Sequence, residues 1–262
     1  MNIFKKLLDA FKQPASQETP PILQAEADNQ AARLASEACL DRHWSSVGTV
    51  ERDVLAYLIS PSFAGGPHWP STRQAYRVVR RGDSIILATE GLSDPFDDDQ
   101  GQGNGFEMEL FVETPDIPEH ARGPLGEVDP FKRSWAFELI ENIAKTVADA
   151  GGITQQLERY GALSLELPGF SESHHIASQV PKHFVTDDDS IGVLLGGPAP
   201  DFPTRLQDMP LSPVTLVPVV LITAAELEYI RAGGGAARAD LVSRLQAAGV
   251  GHVSSLQRAS VL

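Results

Sequence analysis

The chain has 262 residues, 42% of them hydrophobic, enough for one substantial core or two small ones. Its formal net charge of -14 excludes non-specific attachment to a nucleic-acid backbone, which needs clustered cations to displace counterions. A single cysteine, Cys39, excludes an intrachain disulfide.

Residues 1–12 (MNIFKKLLDAFK) place Ile3, Phe4, Leu7, Leu8 and Phe11 at helical spacing beside three lysines. Such a short amphipathic element suits a membrane surface, a partner's groove or its own domain, and is marginal alone in water. Residues 14–21, with three prolines beside Ser16 and Glu18, read as a linker. The expected organisation is an amphipathic segment and linker over 1–21, followed by one domain over 22–262. No secretory signal or membrane-spanning apolar run is evident, so the expected compartment is the cytoplasm.

A first helix is expected over 24–41, with Cys39 as a buried thiol among small apolar neighbours. Residues 54–59 (VLAYLI) are apolar throughout, and the Gly- and Pro-rich flanks favour a strand over a helix end. Residues 75–81 and 84–89 form the arms of a hairpin around Gly82-Asp83. After a Gly- and Asp-rich loop, strict alternation begins at Phe106. Phe106, Met108, Leu110 and Val112 share one face, and Glu107, Glu109, Phe111 and Glu113 the other. Between Glu90 and Asp129 there are twelve Asp and Glu against the single Arg122. That concentration fits a basic partner surface, a cation or a solvated loop.

Residues 131–150 carry the broadest helical stripe: Trp135, Ala136, Leu139, Ile140, Ile143, Ala144 and Val147. Gly151-Gly152 stops it, and 153–160 follow as a shorter helix. Strands are expected at 191–195 and 214–221, with Pro218 suited to an edge or bulge. Thr223 and Glu226 have capping-box spacing, opening a helix that is followed by another near 237–248. Alternating strands and helices without an internal repeat predict one α+β domain, a mixed, largely antiparallel sheet covered by helices.

The segments ILATEGLSDPF (86–96), NGFEMELFVETP (104–115), the helix near Trp135 and VTLVPVVLITAAELEYI (214–230) are similar to the suppressor-of-fused-like domain family. Gly91-Leu92-Ser93-Asp94 and Gly105-Phe106-Glu107 carry most of this resemblance, which covers the chain from about Asp41 onward. It implies a mixed α+β domain used for protein binding. Animal members look like regulators that sequester a transcription factor, and bacterial members resemble immunity proteins that neutralise toxins. This chain resembles the compact bacterial form.

The expected binding surface is Asp94, Glu107, Glu109, Phe111 and Glu113. Its carboxylates would meet Lys or Arg of a protein partner, such as a toxin with a basic surface, around the apolar Phe111. Asp94 would also shape its loop. An edge strand or the amino-terminal segment could also mediate a homodimer.

The chain is expected to be non-enzymatic and without cofactor. The rival reading is a hydrolase or metal-dependent enzyme. It would use His174 and His175 with Asp187, Asp188 and Asp189, and Ser171 or Ser173 as nucleophile. The sequence has no GxSxG elbow and no HExxH helix. Asp97 to Asp99 lack EF-hand ligand spacing. Arg73, Arg77, Arg80 and Arg81 are expected to pair with the acidic strand. Trp69, Tyr76 and Trp135 are expected in the core.

Overall fold

The computed structural model describes residues 21–57, 59–96, 103–197 and 201–262. The expected amino-terminal amphipathic segment and the Asp97 to Asp99 cluster lie outside the described residues. Helix α1 (Pro21–Val47) is rich in Ala, Leu and Glu, residues that lose little freedom in a helix. It ends at Val47 rather than residue 41 because Trp44 is buried edge-on against Phe111, with ring centroids 5.8 Å apart. Ser36, Leu40 and Trp44, one turn apart, with Cys39 beside them, form its buried stripe.

Among the described residues, nine strands form one sheet: β1 (Thr49–Val50), β2 (Leu55–Ala56), β3 (Ala75–Arg81), β4 (Ser84–Glu90), β5 (Met108–Thr114), β6 (Leu163–Pro168), β7 (Ser190–Leu195), β8 (Arg205–Leu206) and β9 (Val214–Ile222). The order is β1-β3-β4-β5-β9-β7-β6, with β2 on β3 and β8 on β9. The β3–β4 hairpin closes at Arg81 opposite Ser84. Gly82, at φ 56, supplies the left-handed backbone its tight turn requires. Only the β5–β9 pair is parallel among the strand pairings of the described residues.

Pro218 sits inside β9 rather than at a sheet edge. The outer edge of β9 passes from β8 to β7 at this point, where the Gly196 amide donates to the Pro218 carbonyl and the proline nitrogen has nothing to donate. Among the described residues of the expected strand over 54–59, only Leu55–Ala56 pairs, and Tyr57 and Ile59 are exposed. In contrast, β6 was not expected, although Leu163, Leu165 and Leu167 alternate with Ser164 and Glu166 and pack on the core.

Helix α2 (Trp135–Asp149) covers one face of the sheet with the expected stripe. It starts at Trp135 because Asp129–Arg133 forms a 3-10 turn and Ser134 caps the α-helix, accepting from the Phe137 amide at 3.2 Å. Helix α3 (Thr154–Tyr160) follows the glycine pair, and α4 (Ile176–Gln179) is a single turn. The opposite face is shared: α1 covers a cluster including Val79, Ile86, Phe111 and Leu216, while α5 (Ala224–Ala247) covers Leu194, Val220 and Ile222. The two carboxyl-terminal helices expected from the sequence are the halves of α5, separated by a kink at Gly234. Its capping box, Thr223 with Glu226, is present as expected.

The carboxyl-terminal tail completes the sheet. Val253 bridges in parallel to Glu113, and the Ser254 amide donates to the Glu113 carbonyl at 2.8 Å. The Ser254 hydroxyl then accepts from the Leu221 amide at 3.0 Å, so the tail fills the gap where β5 and β9 diverge. Arg258 closes it by pairing with the fully buried Glu226 at 2.5 Å. Burial alone would raise the Glu226 carboxyl, but Arg258 outweighs it and holds it below its ordinary value. Removing the cation strands a buried carboxylate. Urea denaturation of Arg258→Ala is therefore expected to show a loss of ~3–5 kcal/mol, against under ~0.5 kcal/mol for an exposed control such as Arg52→Ala.

Candidate functional site

Strand β5 was expected to bury one face and display carboxylates on the other. The structure corrects this: β5 is buried along its whole length. Met108, Leu110 and Val112 enter the core beneath α2, and Phe111 packs on Trp44 and Phe202 beneath α1. Glu109 and Glu113 are 0% and 2% exposed, and Asp94 is 0% exposed. The expected acidic partner face is internal because α1, residues 201–209 and the tail cover it. Glu107 alone of the five is partly exposed, and it precedes the strand with a left-handed φ of 56.

Each buried carboxylate has its own set of donors. Asp94 accepts from the Ser71 hydroxyl at 2.8 Å and from two nitrogens of Arg73 at 3.1 Å. Arg73 also pairs with Glu90 at 2.9 Å and with Glu37 of α1 at 2.7 Å. Arg77 joins Glu90 to Asp41, also on α1. Burial would raise the Glu90 carboxyl, but Arg77 and then Arg73 hold it below its ordinary value. Glu113 accepts from Arg81 at 3.1 and 3.2 Å and lies 2.6 Å from His252 Nε2. Of the four arginines expected to reach the acidic strand, only Arg81 does so. Arg80 pairs with Glu51 instead.

Glu109 has neutral partners. Its Oε1 accepts from the Gly91 amide at 3.1 Å, the Ser93 amide at 2.8 Å and the Ser93 hydroxyl at 2.6 Å. Its Oε2 lies 2.5 Å from the Thr89 hydroxyl. The Asn104 side chain donates to the Ser93 carbonyl at 3.0 Å and accepts from the Leu211 amide at 2.9 Å. Phe106 donates its amide to the Leu92 carbonyl at 2.8 Å. The segments around Gly91 and Gly105 are thus one hydrogen-bonded unit. At Gly105, with φ 51, a Cβ would come within 2.5 Å of the Leu92 carbonyl oxygen, so the chain requires glycine there.

This unit walls the larger of two neighbouring chambers of a groove beside α3, which share Thr154 and Glu158 in their linings. The larger, about 520 Å³, is lined by Phe96, Phe106, Glu107, Gly152 and Gln155. The smaller, about 320 Å³, lies among Leu157, Gly161, Gly196, Arg205, Val217 and Pro218. Thr154 fixes α3 to the wall by donating to the Phe106 carbonyl at 2.7 Å. Gly152, with φ 88, lets Phe106 approach where a Cβ would sit 2.9 Å from its side chain. The smaller chamber combines Leu157, Val217 and Pro218 with Arg205 and Glu158, whereas the larger sets Glu107 and Glu158 beside Phe96 and Phe106, a lining suited to an apolar side chain flanked by a cation.

Ser171, Ser173, Asp188 and Asp189 of the enzyme reading have separate structural duties, and the two histidines sit on a fixed turn. Glu138 of α2 accepts the backbone amides of His174, His175 and Ile176 at 2.9, 2.7 and 2.8 Å, fixing the turn that carries both histidines. Asp189 holds the Ser171 hydroxyl at 2.6 Å, Asp188 pairs with Arg231 at 3.0 Å, and Ser173 donates to the Phe170 carbonyl at 2.6 Å. Among the described residues, no group of three His, Cys, Asp or Glu side chains is arranged to hold a metal ion. Sequence reasoning missed Thr154, Leu157 and Glu158 of the groove. The signal available was a short helix after a glycine pair, which gave no indication of what it would face.

The network and most of the groove lie within one contiguous stretch of sequence. No curated protein and no solved structure matches the chain. The sequence model described as Suppressor of fused protein (SUFU) matches residues 76–259, more than half of the chain and inclusive of β4, β5, the groove and most of the tail. The chain therefore belongs to the suppressor of fused protein family, and that membership points to a protein-interaction role.

Proposed function

We propose that the chain is a non-enzymatic protein-binding domain that takes a segment of its partner into the groove beside the Gly105-Phe106-Glu107 turn. The observation that carries this reading is the convergence of the family's motif residues on one groove wall. Phe96, Gly105, Phe106 and Glu107 line the larger chamber, and the buried network behind them fixes their positions. Preorganised walls of this kind lower the ordering cost of binding.

The partner class proposed is a toxin with a basic surface, neutralised in the cytoplasm by this chain acting as an immunity protein. The net charge of -14 favours a basic partner by steering its approach. The resemblance to compact bacterial members of the family supports the immunity role. Among the described residues, no helix is long and apolar enough to cross a membrane.

Capture from native extract, followed by co-expression of the captured partner in a test host, checks the proposal. The wild-type chain is expected to restore growth, and Glu107→Lys combined with Glu158→Lys, both on the larger chamber and outside the core, to abolish both capture and rescue while leaving the melting temperature within a few degrees. Unchanged capture by this folded variant would remove the groove as the binding site.

Glu107 separates stability from binding. A non-glycine residue at positive φ carries roughly 1–2 kcal/mol of strain, so Glu107→Gly is expected to unfold at equal or higher urea concentration than the wild type. The same variant loses a groove carboxylate and should bind a basic partner several-fold more weakly. Calorimetric titration read alongside the urea midpoint checks both outcomes.

A further inference from the structure

We infer that Glu109 is a proton-dependent latch on the two loops that wall the groove, holding them more firmly in mildly acidic than in mildly alkaline solution. Its consequence for partner binding rests on the groove reading above, whereas the latch itself does not.

Glu109 is fully buried, and its hydrogen-bond partners among the described residues are all neutral. The geometry has room for one acid proton. Thr89 Oγ1 accepts from the Leu110 amide at 2.8 Å and lies 3.4 Å from the Leu110 carbonyl. With a proton on Glu109 Oε2, that oxygen donates to Thr89 Oγ1, the threonine proton turns to the Leu110 carbonyl, and Oε1 keeps its three donors. Every polar atom of the cluster then has a partner. In the ionised form, a full charge sits in the protein interior without a cation.

The groups facing Glu109 leave this balance intact. Tyr76 of β3 is the ionisable neighbour, and burial raises its hydroxyl well above its ordinary value, so it stays neutral. Glu90 of β4 is paired with Arg73 and Arg77, Asp94 of the motif loop with Arg73, and Glu37 of α1 with Arg73. The residue opposite on β9 is Leu216. Burial pushes the Glu109 carboxyl up to about 7, against the opposing pull of its Ser93, Thr89 and Gly91 donors.

The sign follows from proton binding. A loop that opens returns Glu109 to an ordinary carboxyl near 4.5, whereas the closed network keeps its proton to about 7. The closed state therefore binds more protons between these values. The stabilisation is complete below about 4.5 and is lost as pH rises through about 7. Ser93 carries the effect outward: its amide and hydroxyl bind Glu109, and its carbonyl holds Asn104 next to Gly105. Loss of the latch frees the loops that place Phe96, Phe106 and Glu107 in the groove.

Amide hydrogen exchange on the full-length chain, corrected for intrinsic exchange at each pH, tests this. Between pH 5 and pH 8 the opening constant of residues 91–96 and 103–107 is expected to rise on the order of 50- to 100-fold. Glu109→Gln mimics the protonated acid, since its carbonyl replaces Oε1 and its amide donates to Thr89. In that variant the change should stay under about threefold. A flat wild-type profile, or the same slope in Glu109→Gln, would overturn the latch. Carbon-detected titration of the Glu109 carboxyl in the wild-type chain decides the matter if the variant does not fold. A midpoint above pH 6 supports the latch and one below pH 6 overturns it. Neither measurement uses a partner, so failure of the groove reading would leave both intact.

Discussion

Strand β5 is covered on both faces, and each carboxylate it carries must find its donors inside the protein. That constraint organises much of the molecule. A buried charge is strongly destabilising unless paired, and a buried polar group is destabilising unless hydrogen-bonded. The strand meets the requirement in two ways. At one end Glu113 pairs with Arg81 of β3 and contacts His252 of the tail, which commits the carboxyl terminus to the sheet. At the other end Glu109 relies on hydroxyls and backbone amides, which commits the Gly91–Ser93 turn to a single conformation.

The same constraint changes how the acidic character of the chain is understood. Four of the twelve acids between Glu90 and Asp129 are not on the surface. Glu90, Asp94, Glu109 and Glu113 are all buried. Arg73, Arg77 and Arg81 neutralise three of the four at short range. The field that a partner meets is therefore set by the remaining exposed acids rather than by the formal count. Within the groove, Glu107 lines the larger chamber, Glu158 lines both, and Arg205 lines the smaller one.

The groove inherits its rigidity from this interior. Its wall is built from the turn before β5, which is held at Gly105 by close backbone packing, at Phe106 by bonds to Leu92 and Thr154, and at Glu107 in a left-handed conformation. Backbone strain of this kind persists only where surrounding contacts over-determine it, and it concentrates at functional sites. Segments far apart in the chain meet there: Phe96, residues 105–107, α3, and the starts of β8 and β9.

The sequence by itself determined the elements whose signals are local. The β3–β4 hairpin was legible from Gly82-Asp83 between two apolar arms, α2 from its 3.6-residue stripe, and the start of α5 from the spacing of Thr223 and Glu226. The α+β class followed from those elements, and the motif residues around Gly91 and Gly105 indicated the family. The tertiary structure alone decided what covers each face. Alternation along residues 106–113 reveals that two faces differ, but a buried carboxylate with a full set of donors leaves the same alternating pattern as an exposed one. The donors of Glu113 come from Arg81 and His252, and the groove opposite Phe106 comes from α3 and β9. These pairings depend on long-range packing that the β5 residues do not encode locally. For that reason the sequence marked the segment that carries the family's motif, and only the packed structure decided that its carboxylates are buried and that a groove lies beside it.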